Sequence, residues 1–121
     1  MNKVILVVED QEDNRRILRD LLTSVDFQVI EAVTGKDGVR SAEVHHPDLI
    51  LMDIQLPDFD GYETTRRIRA KPELRAIPII AVTSYALSGD DKKAFEAGCD
   101  AYVSKPFSPR ALLAKIREIL T

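Results

Sequence analysis

The sequence predicts an α/β fold: a doubly wound, parallel five-stranded sheet with helices on both faces. Short runs rich in Val and Ile alternate five times with longer stretches of helical period. The strand runs are continuously apolar rather than alternating, as in sheets covered on both sides. Parallel neighbours need crossovers, and the intervening helices supply them. A chain of 121 residues fits one domain, taken as 1–121, and buries roughly two-thirds of its unfolded surface.

The elements follow in order. Val4 to Val8 reads as the first strand. Ile17, Leu18, Leu21, Leu22 and Val25 recur at helical spacing, with Asp13 or Asn14 as the expected cap. Phe27 to Ala32 is the second strand, closed by Thr34-Gly35, and Lys36 to His45 the second helix, ended by Pro47. Leu49 to Met52 is the third and most apolar strand. A loop dense in turn residues, Gln55 to Gly61, leads to a helix over Tyr62 to Ala70. Pro78 to Val82 is the fourth strand, followed by a helix over Asp90 to Ala97 that Gly98 terminates. Ala101 to Val103 is the fifth strand, and Ser108-Pro109 opens the last helix.

Composition excludes several classes. The net charge of −3 argues against nucleic-acid binding, which wants a basic surface. One cysteine, Cys99, permits no intrachain disulfide and no CxxC zinc site; it reads as a small packed residue. No apolar run approaches the ~20 residues of a membrane span. Met1-Asn2-Lys3 runs straight into a strand, so no signal peptide is expected and the compartment reads as cytoplasmic. His45-His46 reads as a surface pair, and Arg66-Arg67-Ile68-Arg69 as a solvated helix face.

The chemistry gathers at the strand ends. Asp53 ends the apolar run Leu49-Ile50-Leu51-Met52, where a carboxylate carries a desolvation cost and asks for a chemical reason. Glu9-Asp10 ends the first strand, Thr83 the fourth and Lys105 the fifth. In open α/β sheets ligands bind beyond these carboxyl ends. Two carboxylates ~5 Å apart repel by about 3 kcal/mol at an effective dielectric near 20. Three together raise each other's pKa or recruit a cation, and an all-oxygen set favours Mg²⁺, or Mn²⁺ in its place. Acids, a hydroxyl and an ammonium on one rim are the parts that phosphoryl transfer to a carboxylate needs.

These residues carry a family resemblance. Val8-Glu9-Asp10, Leu51-Met52-Asp53-Ile54-Gln55-Leu56-Pro57 with Asp60-Gly61, Val82-Thr83-Ser84 and Tyr102-Val103-Ser104-Lys105-Pro106-Phe107 stand in the order and spacing of the receiver domain of two-component response regulators. The chain resembles that family over its full length, and within it the single-domain members of chemotaxis or cell-division type. The resemblance implies a flavodoxin-like strand order, 2-1-3-4-5. It implies that Asp53 accepts a phosphoryl group from a histidine kinase or histidine phosphotransfer protein. Glu9, Asp10, Asp53 and the Gln55 backbone carbonyl would hold Mg²⁺. Thr83 and Lys105 would contact the phosphoryl group, with Thr83 and Tyr102 as the switch pair. The Lys105-Pro106 bond would be cis, and Gln55 and Tyr85 would tune the phosphoryl lifetime. A downstream protein target would read the surface of the fourth helix, fifth strand and fifth helix, from a monomer or a weak phosphorylation-dependent dimer.

Two other functions on this architecture fit less well. A phosphohydrolase with an aspartyl-phosphate intermediate needs a general acid two residues past the nucleophile, where this chain has Gln55. A nucleotide or flavin binder needs a phosphate-cradling loop after the first strand, where Glu9-Asp10-Gln11-Glu12-Asp13 repels phosphate unless a cation intervenes. The chain therefore reads as a phosphoacceptor switch and not as an enzyme.

Overall fold

The computed structural model describes residues 2–83, 90–105 and 107–120, with the side chains of Asp90 and Asp91 left aside; the expectations for Ser84, Tyr85 and the Lys105-Pro106 bond fall outside these residues. Five strands, β1 (Val4–Val8), β2 (Gln28–Ala32), β3 (Leu49–Asp53), β4 (Ile79–Thr83) and β5 (Ala101–Ser104), alternate with five helices. These are α1 (Glu12–Thr23), α2 (Gly35–His45), α3 (Gly61–Arg69), α4 (Asp90–Ala97) and α5 (Pro109–Leu120). Every strand pair is parallel, and the order is β2-β1-β3-β4-β5, as the resemblance implied.

Strand alternation divides the core into two layers. Leu6, Val8, Ile50, Met52, Ile79 and Ala81 face Ala42 of α2, Ile68 of α3 and Ala94 of α4. Ile5, Val7, Leu49, Leu51, Ile80 and Val82 face Leu18 and Leu22 of α1 and Leu112 and Ile116 of α5. Both faces of β3 and β4 are therefore sealed, and each large apolar side chain contributes about 1.5–3 kcal/mol of burial. This two-sided covering is why the strands read as unbroken apolar runs.

Three expectations need correction. α1 begins at Glu12 after Gln11, which makes no side-chain capping bond, so Asp13 and Asn14 lie inside the first turn. There Glu12 and Asp13 complement the helix dipole. Ile17 is 55% exposed; the buried stripe of α1 is Leu18 and Leu22, and Ile17 sits beyond its edge. Arg69 is not solvated: its side chain, 18% exposed, pairs with Asp100 at 2.8 Å. A short 3₁₀ turn at Pro72–Leu74, unforeseen in the sequence, buries Leu74. Gly98 does close α4, at φ +116. α2 stops before Pro47 by placing His46 in the left-handed region, φ 46.

Candidate functional site

The sheet register builds the site. Val8 pairs with Met52, so the next residues along the two strands, Glu9 and Asp53, are neighbours. Glu9 is still tied to the sheet by its N–H, which donates to the Ala32 carbonyl at 3.0 Å. Asp53 pairs with Val82 of β4. Both carboxylates are withdrawn from solvent, at 1% and 4% exposure. Gly61 keeps the β3–α3 loop tight: a side chain there would run into the Asp53 carbonyl and the Ile54 Cα. Its N–H closes the loop on the Ile54 carbonyl at 2.8 Å.

Lys105 enters from beyond β5. Its N–H donates to the Thr83 carbonyl at 2.6 Å. Its ammonium donates to Glu9 Oε1 at 2.7 Å and lies 3.7 Å from Asp53 Oδ2. The lysine thus leans on Glu9 more closely than on Asp53. The remaining carboxylate oxygens are held by backbone: Gln11 N–H donates to Glu9 Oε2 and Gln55 N–H to Asp53 Oδ1, each at 3.2 Å.

Charge is unbalanced here. Glu9, Asp10 and Asp53 offer ligand oxygens within 4.8 Å of one another, against the single ammonium of Lys105. Burial, then the hydrogen bond and charge of Glu9, push Asp53 up from 3.8 to about 7, with Lys105 opposing. Glu9 goes the other way: burial resists its charge, but its hydrogen bonds with Asp53 and Lys105 outweigh that and lower it. Of the two acids, Asp53 is therefore the one that holds a proton as pH falls below about 7. Among the described residues no buried side-chain nitrogen or oxygen lacks a hydrogen-bond partner, so the tension is one of excess negative charge. A hard divalent cation answers that excess, and three carboxylates suit it chemically. A cavity of about 250 Å³, walled by Glu9, Asp10, Asp53, Gln55, Lys105 and Asn14, leaves room for a hydrated ion.

Thr83 is buried at the end of β4, opposite Ser104 of β5. Tyr102, half-buried, packs against the core layer under α2, α3 and α4. Neither is among the residues lining that cavity.

Two features escaped the sequence. A larger cavity of about 490 Å³ opens beside Glu9 and Lys105, lined by Ile17, Leu18, Phe107 and Pro109; Ile17 keeps the helical period, so the sequence did not set it apart. Arg15 reaches back from α1 to the Glu9 and Asp10 carbonyls, each at 3.0 Å. Its one signal is a cation in the first turn of a helix, the wrong sign for the dipole.

Comparison with known proteins agrees with this geometry. The response regulator receiver domain family matches residues 5–117. The polar-differentiation response regulator DivK of Brucella ovis is 42% identical over 120 residues, covering 99% of this chain and 98% of that protein. The receiver domain of the sensor histidine kinase PA1611 from Pseudomonas aeruginosa, with a magnesium ion coordinated in its active-site cleft, is 39% identical. It superposes with a TM-score of 0.92 over 99% of this chain and 98% of its own. A CheY-like receiver domain protein from Methanospirillum hungatei is 34% identical, with a TM-score of 0.90 over 99% and 94% of the two chains. A full-length family match, shared fold and converging acidic rim lead to one assignment: this chain belongs to the response regulator receiver domains, the phosphoacceptor switches of two-component signalling.

Proposed function

We propose that residues 1–121 form one receiver unit in which Asp53 is the phosphoacceptor. The observation that carries this is a buried carboxylate held at a strand end among two further acids and a lysine. An Asp53 oxygen attacks the phosphorus of a phosphohistidine in line, the P–N bond breaks, and the imidazole leaves with its electron pair. The product is an acyl phosphate on Asp53, which water later hydrolyses. Attack requires the ionised carboxylate, so molecules that hold a proton on Asp53 must first release it to solvent.

Mg²⁺, held by Glu9, Asp10, Asp53 and the Gln55 carbonyl, would displace that proton and neutralise charge on the phosphoryl oxygens; Mn²⁺ would serve in its place. Lys105, already 3.7 Å from Asp53 Oδ2, would turn from Glu9 to a phosphoryl oxygen. Thr83 would donate its hydroxyl to another, and Tyr102 would follow the vacated space as the switch aromatic. Gln55, exposed beside the cavity, and Tyr85 would tune the lifetime of the acyl phosphate.

The donor would be a histidine kinase or histidine phosphotransfer protein. The apolar groove around Ile17, Phe107 and Pro109 adjoins Glu9 and Lys105, and gives such a donor a place to dock with its histidine over Asp53. The output would be a protein target reading the α4–β5–α5 face, with no nucleic acid, from a monomer or a weak phosphorylation-dependent dimer. Chemistry confined to one residue makes the chain a switch and not an enzyme. No helix among the described residues is long and apolar enough to cross a membrane, which accords with a cytoplasmic setting. Intact mass after incubation with Mg²⁺ and acetyl phosphate tests the reading. One labile phosphoryl, absent from Asp53→Asn and from a chelator control, is the expected result. No adduct from acetyl phosphate or from a histidine kinase would overturn it.

A further inference from the structure

Arg15 stands where helix electrostatics disfavours it. α1 runs from Glu12, so the guanidinium belongs to the first turn, whose free N–H groups already carry partial positive charge. Its side chain is only 15% exposed, so a further cost of ordering and partial desolvation must be offset by contacts. Those contacts are specific. One nitrogen, Nη1, donates to both the Glu9 and the Asp10 carbonyl oxygens, at 3.0 Å each. Nε lies 3.4 Å from Glu31 Oε1 on β2. Glu31 is itself gripped by Arg19 through two bonds, at 3.1 and 3.0 Å.

The planar guanidinium therefore ties the edge strand β2 to the two peptide units that carry Glu9 and Asp10. Holding both carbonyls toward Arg15 limits how those peptide units can rotate, and with them the directions in which the two acids project. The Glu9 carboxylate is held independently: it accepts from Gln11 N–H and from Lys105.

We propose that Arg15 is a positioning residue for the Glu9–Asp10 pair, presetting two of the three acids that receive a divalent cation; this rests on the cation reading given above. Groups that orient ligands without touching the metal typically govern roughly 10–100-fold of metal affinity.

The sign of the effect separates this role from simple electrostatics. Removing a nearby positive charge should tighten cation binding, whereas removing the clamp should weaken it. Mn²⁺ binding followed by electron paramagnetic resonance, and Mg²⁺ binding by titration calorimetry, read the affinity directly and do not depend on phosphorylation. Arg15→Met keeps much of the side-chain bulk and should weaken both ions at least about tenfold. Arg15→Lys keeps the charge without the planar fork and should fall between it and wild type. Arg19→Met removes an equal charge from the same Glu31 but contacts neither carbonyl, and should leave both affinities unchanged.

A purely structural role for Arg15 would lower the unfolding temperature while folded molecules bound cations normally. Affinity in Arg15→Met equal to or tighter than wild type would overturn the proposal. So would an equal loss in Arg19→Met. Should Arg15→Met fail to fold, wild-type affinity in Arg15→Lys overturns it in the same way. Absence of Mg²⁺ and Mn²⁺ binding in wild type would instead overturn the cation reading, and the positioning role with it.

Discussion

The two ends of the sheet both carry charged side chains, and they use them differently. At the amino ends of the strands, charge is matched and spent on backbone. Asp48 accepts the Val4 N–H at 2.8 Å. Asp100 accepts the Ile79 N–H and pairs with Arg69, both at 2.8 Å. Arg69 also donates to the carbonyls of Gly98, Leu74, Arg75 and Ile77. At the carboxyl ends, three acids crowd one ammonium, and one acid is left holding a proton near neutrality. The first arrangement stitches chain segments together; the second holds surplus charge of one sign for something that is not protein. Charged groups at a sheet end are thus told apart by whether like charges are crowded together.

Substitutions should separate the two ends cleanly. The largest effect expected is on chemistry: Asp53→Asn abolishes phosphoryl uptake, read as loss of the mass adduct, and leaves the fold intact. Arg69→Met should do the reverse. Stripping one guanidinium from several carbonyls and an aspartate should cost about 3 kcal/mol in denaturant unfolding, with uptake preserved in the folded fraction.

The pH dependence of stability gives the next contrast. In the metal-free protein Asp53 keeps its proton up to about 7, whereas in the unfolded chain it ionises near 3.8. Between those values the folded state binds the extra proton, so the Asp53 contribution falls as pH rises through that interval and then levels. Glu9, lowered from 4.5, contributes stability that is lost only as acid is added below its ordinary range. Thermal unfolding without metal should therefore show a wild-type penalty toward neutral pH that Asp53→Asn removes. Mg²⁺ should remove it too, by taking the place of the proton.

The smallest effect expected lies at the carboxyl end too, at an acid outside the crowded rim. Asp58, in the β3–α3 loop, accepts the Gly35 and Lys36 N–H groups at the start of α2, each at 2.9 Å. Losing this tie in Asp58→Ala should cost about 1 kcal/mol, as for a helix cap, measured by denaturant unfolding.

The contrast also explains what the sequence made legible. Strands buried on both faces must be apolar throughout, so β1, β3 and β4 announced themselves, and helix limits fell within a few residues. Glu9 and Asp53 were legible because a carboxylate at the end of such a run has no reason in packing alone. Arg69 and Arg15 were not. Their partners are mainly main-chain carbonyls, which every residue owns and only the folded chain brings together. The nearer pairing of Lys105 with Glu9 is likewise a matter of reach across the sheet. Ile17 kept the helical period yet faces the groove beside the site, since periodicity marks a face without saying what covers it.

The central claim is that the acidic rim carries surplus negative charge that a divalent cation relieves. Carbon-13 NMR titration of the Asp53 side-chain carboxyl, without and with saturating Mg²⁺, measures it at the atom concerned. Titration near pH 7 without the ion, moving well into the acid range with it, is the predicted result. An ordinary carboxylate titration, unchanged by Mg²⁺, would contradict the account.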